Sequence, residues 1–243
     1  MSDKPQVIYL KDYQPSEYLI ESVDLHFLLN EDVTTVTAKS QVVFNPAAST
    51  RSGVLSLDGN ELKLISVAIN DKLLTANDYE VNAEKLILKN MPDSFDLTVV
   101  TEITPQNNTA LEGLYKSSGM YCTQCEAEGF RRITYFLDRP DVMAVYTTTV
   151  NAEKAKYPVL LSNGNCIDSG ETHDGRHWIK WHDPFPKPSY LFALVAGDLY
   201  CQEDEFTTRS GRQVTLKIFV EEVNKTKCDH ALASLKKAMK WDE

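Results

Sequence analysis

Cysteine is sparse. Five in 243 residues is an odd number, too thinly spread for a disulfide framework, which excludes the small secreted scaffolds. Basic residues are outnumbered, 25 Lys plus Arg against 35 Asp plus Glu, for a formal net charge of −10. Without clustered cations there is no footprint for nucleic acid or for an anionic membrane. No apolar run approaches the roughly 20 residues of a membrane-spanning helix. The opening Met1-Ser2-Asp3-Lys4-Pro5 does not follow the basic-then-apolar order of a signal peptide. Phosphate-cradling glycine loops, dinucleotide fingerprints and nucleophile elbows are also missing. What is present is ordinary for a folded domain, 42% hydrophobic and 25% charged, in a chain long enough to bury a core. The expectation is a soluble, cytoplasmic protein with reduced thiols and neither a nucleic-acid nor a membrane partner.

Periodicity points to β structure over roughly the first two hundred residues. Leu25, Phe27 and Leu29 alternate with His26 and Leu28, and Val36, Ala38, Ser40, Val42 and Phe44 alternate with Thr37, Lys39, Gln41 and Val43. A period of two is what a half-buried strand requires. Turn residues follow at Asn45-Pro46, Asp58-Gly59-Asn60, Asn70-Asp71 and Asn90-Met91-Pro92. They frame further strands at 62–69, 85–88, 95–103, 142–150 and 158–161. Short strands at regular spacing predict an antiparallel sandwich or curved layer. Beyond Gly197-Asp198 the character changes. Strands at about 203–207 and 213–220 flank a Ser210-Gly211-Arg212 turn. A helix follows, with Asp229 as N-cap and Leu232, Leu235 and Met239 on one face. It stops at Trp241-Asp242-Glu243 with no C-cap and with two acids where the dipole disfavours them. This pattern reads as a native start at Met1 and a cut at Glu243.

Three constellations could carry chemistry. His173 and His177 stand at i and i+4, the spacing of a helical zinc site. Asp174-Gly175 between them is a hairpin dipeptide, however, and Trp178 to Trp181 reads as a returning strand, so a solvated turn is expected. Cys122 and Cys125 form a Cys-x-x-Cys without a second pair for zinc or a βαβ setting for redox work, and are read as packed structural thiols. The third is the segment from Cys122 to Asp141, where Glu126 and Glu128 lie among Arg131, Arg132, Asp138 and Arg139. Composition alone makes it a polar loop tied down by ion pairs. A Ser-His-Asp arrangement assembled in space would leave no mark at this level.

That segment, together with Thr109-Ala110-Leu111-Glu112-Gly113-Leu114-Tyr115, Leu161-Ser162-Asn163-Gly164-Asn165, Asp183-Pro184-Phe185-Pro186-Lys187-Pro188 and Tyr190 to Asp198, resembles the N-terminal region of the bacterial aminopeptidase N branch of gluzincins, which are zinc-dependent aminopeptidases. The resemblance covers nearly the whole chain. It implies a mainly β, saddle-shaped antiparallel β-sandwich domain over 1–198. The truncated start of a thermolysin-like catalytic domain, strands plus one helix, would follow over 199–243, and without the rest of that domain the helix from about Asp229 would be poorly anchored. The family's Gly-Ala-Met-Glu-Asn and H-E-x-x-H motifs do not occur here, and none of His26, His173, His177, His182 and His230 matches a zinc ligand. The resemblance therefore implies zinc in the full-length enzyme, none in this piece, and no activity for the piece alone. Its partners would be the N-terminus of a peptide substrate and the rest of its own catalytic domain.

An aminopeptidase must recognise a free α-amine, which titrates near about pH 8, and a carboxylate can hold its ammonium form. By the resemblance, Glu126 matches the amine-binding carboxylate that the N-terminal domain supplies. Gln124 matches a residue lining the pocket for the first side chain, and Glu128 fits as a supporting residue paired with Arg131 or Arg132. The competing reading is a stand-alone β-sandwich interaction module with Glu126 and Glu128 as surface charges. A third is a zinc or redox protein built on Cys122 and Cys125.

Overall fold

The computed structural model describes residues 9–243; the native start expected at Met1 lies outside them. The strands, in chain order, begin with β1 (Tyr18–Leu28), β2 (Thr34–Phe44), β3 (Leu55–Asp58), β4 (Lys63–Ile69), β5 (Lys72–Leu73) and β6 (Tyr79–Val81). They continue as β7 (Lys85–Leu88), β8 (Ser94–Ile103), β9 (Gly113–Ser117), β10 (Met120–Gln124), β11 (Met143–Glu153) and β12 (Val159–Ser162). The last are β13 (Asn165–Glu171), β14 (Arg176–Pro188), β15 (Leu194–Gly197), β16 (Tyr200–Thr207) and β17 (Gln213–Val220), followed by the helix α1 (Cys228–Asp242).

Alternation builds the largest sheet. Leu25 and Phe27 on β1 and Val36, Ala38 and Val42 on β2 are buried, while His26 and Lys39 face outward. Eight strands pair in the order β13-β14-β11-β1-β2-β8-β4-β5. A second sheet runs β12-β15-β10-β9, a third runs β3-β7-β6, and β16 pairs with β17. The expected antiparallel β architecture is present, with one parallel pair: β1 lies beside β11, Ser22 opposite Val145 through Leu28 opposite Asn151. Parallel neighbours need a long crossover, and here everything from β2 to β10 serves as one. The core is one continuous cluster. Phe27 comes from the large sheet, Leu57 and Leu86 from the three-stranded sheet, and Tyr121, Leu194 and Ala196 from the four-stranded sheet.

The final helix departs from expectation in two ways. It begins at Cys228 with Lys227 at the N-cap position, because a 3-10 segment, Glu222–Lys227, already turns the chain and runs straight into it. Asp229 thus lies inside the first turn, where its Oδ1 accepts a bond from Gln202 Nε2 (2.8 Å). The helix is also anchored. Leu232 is buried, Lys236 pairs with Asp204 at 2.5 Å, and the Glu243 carboxylate accepts the Arg209 N–H at 2.9 and 3.0 Å. Of the three apolar residues expected on its face only Leu232 is fully covered, and Leu235 is 38% exposed.

A polar cluster fastens the β9–β10 hairpin to the turn after β1. Tyr157 Oη donates to Glu31 Oε1 (2.7 Å), Lys116 Nζ donates to Glu31 Oε2 (2.9 Å), and Tyr121 Oη donates to the Asn30 carbonyl (2.8 Å). The Lys116 ammonium lies 4.6 Å from the Tyr121 ring centroid, within cation–π range. The Tyr157 hydroxyl first, and then Lys116, hold the Glu31 carboxyl below its ordinary value of 4.5. A depressed folded value stabilises the fold above the unfolded pKa and ceases to do so as pH falls through the folded one. Glu31→Gln should therefore lower the melting temperature at pH 7 and flatten its decline below pH 4.5. Glu31 is half exposed, so solvent screening holds the effect to about 1 kcal/mol or less. Parallel melting curves for the two proteins across the acid range would expose the idea as wrong.

Candidate amine-recognition loop

Gln124 ends β10. It stands opposite Gly113 of β9, while β15 pairs with β10 two and three residues earlier, at Cys122 and Tyr121. The chain then leaves the sheet. Cys125 turns inward and is buried, and Gly129 N donates to Cys125 O (2.8 Å), closing a turn that leaves Glu126, Ala127 and Glu128 exposed. Within it the Glu126–Ala127 peptide is cis, and Gln124 Nε2 donates to the Glu126 carbonyl (3.2 Å). The turn sits tightly against β9: a Cβ on Gly129 would stand 2.5 Å from the Gln124 carbonyl oxygen and 2.9 Å from Gly113 N. Only glycine fits that approach.

Three residues beyond the turn anchor it. Phe130 is fully buried, its ring 4.9 Å from that of Phe136 and 5.3 Å from that of Phe192. Arg131 reaches inward to Asp138, and its guanidinium also approaches Glu128 Oε1 (3.4 Å). Arg132 reaches sideways, donating to Glu112 Oε2 (3.0 Å) and Glu61 Oε2 (2.7 Å). Asp138 N donates to Asp58 Oδ2 (3.3 Å), and Asp58 also pairs with Lys85. The ion pairs expected of this loop are thus in place, and Glu128 is committed to Arg131. Glu126 is not: among the described residues no cation lies within 4.0 Å of its carboxylate. The loop exposes one uncommitted anionic group on a rigid support.

The other candidates do not converge. His173 is in the turn of the β13–β14 hairpin. His177, at the start of β14, is buried with Nε2 2.7 Å from the Tyr157 carbonyl. His182 Nδ1 bonds to Thr147 Oγ1 (3.0 Å), His26 faces outward on β1, and His230 is exposed on α1. All five cysteines are free. Burial raises the Cys122 thiol, partly offset by a hydrogen bond with Tyr115, and burial drives Cys125 further up with Asp138 adding to it. Both environments favour the thiol over the thiolate that redox or metal chemistry uses. Among the described residues no three His, Cys, Asp or Glu side chains gather to hold a metal, so the donor set for zinc is not supplied by them. Ser189 is the participant the sequence reading missed. Its hydroxyl donates to Asp138 Oδ1 (2.5 Å) from 51 positions away, and no local pattern announces it.

Residues 14–191 match the peptidase M1 N-terminal domain family. Over its whole length the chain is 53% identical to aminopeptidase N of Escherichia coli, and it covers 27% of that protein. It superposes on the crystal structure of Legionella pneumophila aminopeptidase A in complex with aspartic acid with a TM-score of 0.92. That protein is 41% identical, with 96% of this chain and 28% of that one covered. An M1 zinc metallopeptidase from Deinococcus radiodurans shares the fold at a TM-score of 0.70 and 15% identity, over 86% of this chain and 48% of that one. The chain thus spans about a quarter of the length of the curated relatives it matches. The family match over residues 14–191, with whole-length similarity at about 50% identity, shows that the chain belongs to the peptidase M1 family and carries its N-terminal domain.

Proposed function

We propose that this chain supplies substrate-amine recognition to a cytoplasmic zinc metallo-aminopeptidase that removes N-terminal residues from peptides. Glu126 binds the ammonium of the substrate's first residue, and Gln124 lines the pocket for its side chain. Residues 1–198 form the N-terminal β domain and 199–243 open the catalytic domain, whose remainder is the intramolecular partner. The observation that carries this reading is the exposed Glu126 carboxylate, with no cation partner among the described residues, on a turn braced by Phe130, Arg131 and Gly129. A charge-assisted contact to a peptide amine needs such a group, accessible and carried on a backbone that is held in place. Zinc in such an enzyme is assigned to its remaining sequence, since no group of three His, Cys, Asp or Glu among the described residues fits it.

The test is Glu126→Gln in the enzyme containing this chain together with its zinc domain. Losing a hydrogen bond to a charged group costs about 1.5–3 kcal/mol, so kcat/KM for an alanine anilide should fall on the order of 10- to 100-fold. Unaltered kinetics would refute the assignment. The 243-residue chain by itself should show no turnover of the same substrate.

A further inference from the structure

We propose that Asp138 is a positioning residue that determines where the Glu126 carboxylate stands; the inference rests on the amine-binding reading of Glu126. The Asp138 side chain is 1% exposed. A buried carboxylate persists only when its charge and lone pairs are satisfied, and here the satisfying groups come from the loop it supports. Asp138 Oδ2 accepts both the Arg131 main-chain N–H (3.1 Å) and Arg131 Nε (3.0 Å). The Asp138 carbonyl accepts Arg131 Nη2 (3.0 Å). Oδ1 is taken by the hydroxyl of the buried Ser189, 51 positions along the chain, so both carboxylate oxygens are engaged.

The main-chain contact is the informative one. Arg131 N lies within the 3-10 turn Phe130–Arg132, immediately after the exposed segment. The Gly129-to-Cys125 bond closes the turn that carries Glu126, and the Arg131 N–H, held by Asp138 two residues after Gly129, fixes where that closed turn leaves the core. The same guanidinium occupies Glu128, which leaves Glu126 as the exposed carboxylate of the turn available to an incoming ammonium. Asp138 touches no substrate in this arrangement. It acts through Arg131 and the turn.

The experiment uses the zinc enzyme containing this chain and compares Asp138→Asn, Glu126→Gln and the double variant, with KM and kcat for an alanine anilide and thermal stability measured for each. Asp138→Asn keeps the side-chain volume while removing the charge. It should raise KM about tenfold with kcat changed far less, the signature of weakened ground-state binding. In the Glu126→Gln background the same change should alter KM by less than about twofold, because residues acting through one contact are not additive. A purely structural Asp138 would lower the melting temperature and leave KM at the wild-type value, and that result would overturn the proposal. So would an undiminished effect in the Glu126→Gln background. If Glu126→Gln is itself silent, the amine-binding reading fails and takes this one with it; if it is severe while Asp138→Asn is silent, only the positioning role fails. Should Asp138→Asn not fold, Arg131→Lys carries the same KM comparison, since it keeps the cation and loses the fork that grips Asp138.

Discussion

Truncating Phe130 to alanine should lower the unfolding free energy by about 3–5 kcal/mol, as for fully buried phenylalanines elsewhere. The ring has no exposure and meets three aromatic neighbours, Phe136 at 4.9 Å, Phe192 at 5.3 Å and Tyr146 at 6.1 Å. Those neighbours cannot collapse into the space together. Tyr146 is on β11, Phe136 is held by backbone bonds in both directions with Asp58, and Phe192 lies between β14 and β15. Relaxation is therefore incomplete, and the cavity adds to the lost transfer energy. Phe130→Leu, which retains much of the volume, should cost less than half as much. In urea unfolding of the 243-residue chain the midpoint should drop with little change in slope. A loss below about 1 kcal/mol would mean that Arg131 and Arg132 anchor the turn without the ring.

The elements legible in the sequence are those with strong alternation. β2, β7, β8 and β17 bury every second residue or pair in full register, and period two announces them. β13 has no strand signal of its own, only the Asp174-Gly175 turn and the returning strand that imply an arm before them, because it is an edge strand with almost every residue exposed and nothing in its polarity alternates. β9 and β10 are obscured by their composition, Gly113 and the Ser118-Gly119 turn, although they lead into the turn that holds Glu126. The parallel pairing of β1 with β11 is a property of the whole chain and no window of residues contains it. The start of α1 was misplaced because a capping residue is recognised by what precedes it, and a 3-10 segment before Cys228 leaves nothing for Asp229 to cap.

The site divides the same way. The pairing of Arg131 with Glu128 and Asp138 follows from proximity in the chain, and composition suffices to anticipate it. Which carboxylate stays uncommitted does not follow. Glu126 and Glu128 are alike in type and exposure, and they differ only because the guanidinium of Arg131 faces one of them. The resemblance to the M1 family singled out Glu126, and the geometry supplies the reason the two acids are not interchangeable. Long-range contacts such as Ser189 to Asp138 need the fold itself.

Gly129→Ala should disable recognition more than it harms stability. The residue sits at φ −84°, which alanine adopts freely, so backbone preference alone would predict a neutral or slightly stabilising change. The contacts decide otherwise. An added Cβ would lie 2.5 Å from Gln124 O, 2.9 Å from Gly113 N and 3.0 Å from Cys125 Cα, all backbone atoms with no rotamer to yield. Overpacking of this kind costs about 1–3 kcal/mol, which a domain of this size survives. Relief must come from moving the β10 end away from β9 or lifting the turn, and either displaces Gln124 and Glu126 together. A misplacement of about 1 Å at a positioning group can lower kcat/KM by about 10²-fold, so the zinc enzyme carrying Gly129→Ala should lose activity on that scale while remaining folded. Gly119, where a Cβ meets nothing within 4 Å, is the matched control in the same hairpin. Its positive φ of 84° makes alanine strained, yet the strain is confined to the turn distant from Gln124. Gly119→Ala should therefore cost stability and spare kcat/KM. If the two variants lose kcat/KM equally at equal stability, the turn does not position Glu126, and the loop's role in holding the amine must be abandoned.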